Sequence, residues 1–180
     1  MAKSQAPNNE LKIALLNEHF YYEVTCVRDT FYCIQEKKWA QPNGRFTIDN
    51  RLLVDFLVHV RILYEFFYET GKKDTSYATD FIKNWKVKEP LEGIKKWKIQ
   101  INNYLSHLTY TRVTQAEGKH SYELYPVDVL YYHFRNLTIE FLSNIPKEYA
   151  LKFNLKDLLE KLKEENASNR NHYVSDFIGR

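Results

Sequence analysis

Apolar side chains recur every three to four positions along most of this chain, the period at which a helix turns one face toward a dry interior. Between Glu10 and Lys38 the series Leu16, Phe20, Val24, Val27, Phe31 and Ile34 keeps that period without a Gly or Pro to break it. One long amphipathic helix is expected there. Pro42, Asn43 and Gly44 predict a turn, and Asp49 is suited to cap the next helix. That second helix is expected to run to about Thr70, where Gly71, Lys72 and Lys73 form a stop. Its apolar residues from Leu52 to Tyr68 point in nearly every direction around the axis, so it belongs at the centre of the fold or against a partner. Asp55, His59, Arg61 and Glu65 within the run speak against a membrane span.

Residues 72–89 read as a connection with room for a short helix carrying Tyr77, Phe81 and Trp85. Pro90 is expected to open a third long helix, with Ile94, Trp97, Ile101, Tyr104, Leu105 and Leu108 as its stripe. Thr109 to Tyr125 reads as a loop. Pro126 starts a fourth helix through Val127, Leu130, Phe134, Leu137 and Phe141, stopped at Pro146. Leu155, Leu158, Leu159 and Leu162 predict a short fifth helix. The expected fold is therefore all-α, an antiparallel bundle of four to five helices. It is expected as a single domain over residues 10–165, between a disordered tail (1–9) and a flexible or docked one (166–180).

Composition narrows the class further. With 44% hydrophobic and 16% aromatic residues, the chain can bury enough apolar surface to offset its ordering entropy. Five glycines and five prolines in 180 residues are too few for the frequent tight turns of an all-β fold. Cys26 and Cys33 lie roughly 10 Å apart along one helix, too far for an intrachain disulfide. A polar N-terminus and the lack of any run of 18 apolar residues predict a cytoplasmic protein without a membrane span.

The densest candidate chemistry lies at the end of the third helix. Asn103 and His107 are one turn apart, and His107 falls roughly 100° from the centre of the apolar stripe, where an imidazole is both held and wet. Such a histidine is suited to general acid or base work near neutral pH, with Arg112 beyond it able to neutralise a phosphate. Equally, His107 can satisfy the helix end and Arg112 make a surface ion pair.

Asn102-x4-His107 resembles the polar-x4-6-His motif of the HEPN superfamily of helical nucleotide-binding domains. The family motif begins with arginine and a polar residue; here Asn102 and Asn103 stand in those places and Arg112 follows the histidine. The resemblance implies a helical bundle over about Glu10 to Ile145. It also implies a homodimer and metal-independent RNA cleavage by His107, with Asn102, Asn103 and Arg112 positioning phosphate, in a toxin-antitoxin or phage-defence setting. Leu57 to Arg61 and Ser106 to Thr109 also look like a bacterial helical family to which no reaction attaches.

On the second helix, Arg61 and Glu65 are spaced to pair, while His59 lies roughly 200° away from Arg61 around the axis. These three either support His107 from across the bundle or form an internal ion pair and a hydrogen-bonded core histidine. Lys83, Lys86, Lys88, Lys95, Lys96 and Lys98, set against Glu89 and Glu92, give this segment a charge of +4, more than the +3 of the whole chain. With Trp85 and Trp97 interleaved, they could follow and stack on a nucleic acid, or they form a solvated face. The two Glu-x-x-His motifs on separate helices that a bundle di-metal centre needs do not occur, nor does a Gly-rich phosphate loop or nucleophile elbow, so neither a metal nor a cofactor is expected. Two functions remain: an RNA-directed HEPN-like protein, or a non-catalytic module binding itself or a protein partner through the second helix and the C-terminal tail.

Overall fold

The computed structural model describes residues 8–36, 39–40, 46–47, 50–72, 74–106, 126–149 and 152–169. The fold is all-α, and its helices are arranged as a bundle. Helix α1 (Asn9–Ala14) passes without a break through a π-helical stretch, Leu15–Phe20, into α2 (Tyr21–Glu36). Asn8 caps the start by accepting from the Leu11 backbone N–H at 2.9 Å, with Glu10 in the first turn where the helix dipole favours an acid. The sequence predicts one uninterrupted α-helix here; the π stretch is a departure from that expectation. Within it Asn17, 2% exposed, donates to the Ile13 carbonyl at 2.8 Å and accepts from the Lys152 backbone N–H at 2.7 Å, so both ends of a buried amide are satisfied.

Two short strands, β1 (Trp39–Ala40) and β2 (Phe46–Thr47), pair antiparallel in the register Trp39↔Thr47 and Ala40↔Phe46. The expected turn at residues 42–44 and the cap at Asp49 lie outside the described residues. Helix α3 (Asn50–Tyr68) is the long central helix, and Gly71 beyond its end takes φ +86°, a left-handed conformation that glycine adopts without a Cβ clash. A 3-10 turn, Ala78–Asp80, occupies the connection, and Tyr77, Phe81 and Trp85 around it are all buried. Helix α4 (Ile94–Ser106) begins four residues later than Pro90 suggests, because Gly93 sits at φ +75° and the helix can propagate only beyond it. Helix α5 is Val127–Asn144, and a second 3-10 turn, Lys147–Tyr149, leads to α6 (Phe153–Asn169). At 17 residues α6 is not short, and it carries helix past the expected start of the tail at 166. No helix among the described residues is long and apolar enough to cross a membrane.

Cross-element pairs give the helix directions. Glu23 meets His59 and Thr30 meets Asp55, so α2 and α3 are antiparallel. Phe31 stacks on Tyr131 at 3.9 Å while Phe20 meets Phe141 at 5.3 Å, so α2 also opposes α5. Val24, Phe31, Leu57, Leu130, Phe134, Leu155 and Leu162 on α2, α3, α5 and α6 turn inward and are buried in one cluster. At one end of it Phe20, Phe66, Phe67, Phe81, Trp85 and Phe141 pack ring against ring at 4.8–6.1 Å, mostly tilted or edge-on, the arrangement aromatic quadrupoles favour.

Candidate functional site

The polar groups expected to carry chemistry separate into distinct places. His107 and Arg112 lie outside the described residues. Asn103 is exposed on α4. Asn102 is half-buried, and its Oδ1 is buried with no hydrogen-bond partner among the described residues. Of the six lysines, Lys88 reaches Glu140 on α5 at 2.7 Å and Lys98 reaches Glu69 at 2.6 Å while lying 5.6 Å over the Tyr64 ring. Lys83, Lys86, Lys95 and Lys96 are exposed. Trp85 is buried, and Trp97 is half-buried and packs on the core.

His59 faces α2, where its Nδ1 lies 2.6 Å from Glu23 Oε2 and its Nε2 lies 3.5 Å from Asp55 Oδ1. Asp55 in turn accepts from the Thr30 hydroxyl at 2.9 Å, and the Tyr22 ring stands edge-on to the imidazole at 5.6 Å. The hydrogen bond to Glu23 holds the His59 pKa above its ordinary value against the opposing effect of burial. Cys26, one turn from Tyr22, has its thiol pushed up, chiefly by burial, so it is a poor nucleophile. Around the axis from His59, Arg61 pairs with Glu65 at 3.4 Å, and Glu65 also lies 3.7 Å from Lys72. The Arg61–Glu65 pair and His59 thus occupy separate faces of α3.

Two further polar clusters were not singled out by sequence reasoning. On α6, Glu165 accepts from Arg28 Nε at 2.7 Å and from the Tyr131 hydroxyl at 2.5 Å, with Arg135 Nε 3.3 Å away; Arg135 also donates to the Leu162 carbonyl. Burial and this carboxylate together push the Tyr131 hydroxyl well above its usual range. A cavity of about 10 Å³ lies beside Arg28, Arg135 and Thr138, room for about one water. Between α3 and α5, the Tyr68 hydroxyl meets His133 Nε2 at 2.6 Å. Burial lowers the His133 pKa and raises that of Tyr68 to about 12, so the pair is neutral. The only advance signal for these clusters is a polar residue interrupting an apolar stripe, as Arg135 does between Phe134 and Leu137.

Among the described residues no three His, Cys, Asp or Glu side chains form a group that could hold a metal. No protein-family model, curated protein or solved structure matches the chain. On the outward face of α3, Val58 is 36% and Ile62 40% exposed, one turn apart in the middle of an otherwise central helix.

Proposed function

We propose that this chain is a non-catalytic helical interaction module of the cytoplasm that docks another helix on the outer face of α3. The observation that carries this reading is the exposure of Val58 and Ile62 side by side on that face, flanked by Asp55, Arg61 and Glu65. An apolar seam rimmed by charges of both signs is the surface an amphipathic helix docks on. Two buried or half-buried histidines fit the reading, since His59 and His133 are each hydrogen-bonded within the chain. The test is a photo-crosslinking residue placed at position 58 and illuminated in the expressing cell. Polypeptide adducts at 58, absent when the probe stands at exposed Glu160 on α6, are expected; no adduct at either position ends the proposal.

The exposed Lys83, Lys86, Lys95 and Lys96 favour a second reading, in which a HEPN-like bundle contacts RNA phosphates and His107 cleaves. Incubation with total RNA without added metal, comparing the native chain with His107→Ala, tests it. Cleavage that survives the substitution removes His107 from the mechanism.

A further inference from the structure

We infer that the helix docked on α3 is α3 of a second copy of this chain, crossing antiparallel about a two-fold axis through Val58. The inference rests on the docking reading above and names its partner.

The pattern of side chains around Val58 supports it. At 100° per residue, the positions three, four and seven residues to either side all lie within about 60° of the Val58 direction, on the solvent face. Three residues before stands Asp55, and three after stands Arg61. Four before and four after are Val54 and Ile62, while seven before and seven after are Arg51 and Glu65. In an antiparallel crossing about Val58 each position meets its mirror. Asp55 then faces Arg61 of the copy, Arg51 faces Glu65 of the copy, and Val54 faces Ile62 of the copy. Every charged position meets its opposite and every apolar position an apolar one, twice over by symmetry, as a two-fold interface demands. A partner of unrelated sequence supplies no reason for this inversion of sign about one residue.

The groups are placed to take part. Asp55 is 58% exposed at its side chain and Arg61 37%; at 3.4 Å the Arg61–Glu65 contact uses one of the five guanidinium N–H donors. A crossing from Arg51 to Glu65 is about 21 Å long, which places it at the small end of specific interfaces, under about 1,200 Å² in total. Association is therefore expected to be reversible, with a Kd of about 1 to 100 μM.

Sedimentation of the full chain tests this. The mass is expected to rise from one chain toward two with concentration, and Asp55→Arg or Arg61→Asp alone to weaken association about tenfold or more by setting like charges opposite each other. Asp55→Arg with Arg61→Asp together is expected to restore it to within about threefold, a rescue that loss of folding cannot mimic. Register is read separately with Cys26→Ser and Cys33→Ser in place. Under oxidation Val58→Cys is expected to link to itself, and Ile62→Cys only to chains carrying Val54→Cys. A single-chain mass up to about 0.5 mM overturns the inference, being far above the expected range. So does a dimer that ignores the charge substitutions and fails to link at 58. Photo-adducts at 58 to other polypeptides, with a monomeric chain, leave the docking reading standing and remove this one; no adducts remove both.

Discussion

His59 and His133 are both lodged between helices, yet their surroundings drive them in opposite directions. His59 sits in the α2–α3 seam with Glu23 at one ring nitrogen and Asp55 near the other. His133 sits in the α3–α5 seam against a tyrosine hydroxyl, where burial is the dominant influence. The first site rewards a proton and the second rejects one. Burial alone therefore does not decide the charge of a bundle histidine; the presence of a carboxylate across the seam does.

The pH consequences have opposite signs. Because the fold raises the His59 pKa, its contribution to stability is complete below the unfolded value of about 6.5 and is lost as pH rises through the raised folded value. His133, lowered by the fold, contributes fully above about 6.5 and loses its contribution as pH falls toward its folded value. Proton titration of the two ring resonances is expected to place His59 above and His133 below an unfolded-peptide reference; matching midpoints would erase the distinction.

The comparison breaks hardest at Glu23. Glu23→Ala strands the Nδ1 proton of a buried imidazole and is expected to cost about 2 to 3 kcal/mol in urea unfolding near neutral pH. Glu23→Gln should recover part of that loss while bringing the His59 midpoint down. Tyr68→Phe leaves His133 Nε2 without its partner at an expected cost of about 1 kcal/mol, with no new dependence on salt, since the pair is neutral. Asp55→Asn, at an exposed carboxylate 3.5 Å from the ring, is expected to change stability by less than about 0.5 kcal/mol at low protein concentration, and to lower the His59 midpoint less than Glu23→Gln does.

Periodicity made the bundle legible, because burial of an apolar stripe needs only local spacing to be read. Leu130, Phe134 and Phe141 on α5 and Leu155, Leu158 and Leu162 on α6 all turn inward as their spacing predicts. The π stretch escaped because no local spacing announces it, and the Asn17 amide within it meets Lys152, 135 residues away along the chain. The α4 start escaped because Pro90 announces a helix while the positive φ of Gly93 delays it. For the polar groups, spacing shows which side of a helix a residue takes but not what waits there. It separated His59 from Arg61 and left Glu23, one helix earlier, unseen as the ring's partner. Glu165 escaped altogether, although it closes a buried cluster with Arg28, Tyr131 and Arg135.

Asn17 ties the opening of the chain to the residue just before its final described helix. A nascent polypeptide emerging from the ribosome therefore exposes a side-chain carbonyl whose mate has yet to be translated. A chain cut before residue 152 is therefore expected to leave that buried carbonyl without its backbone donor.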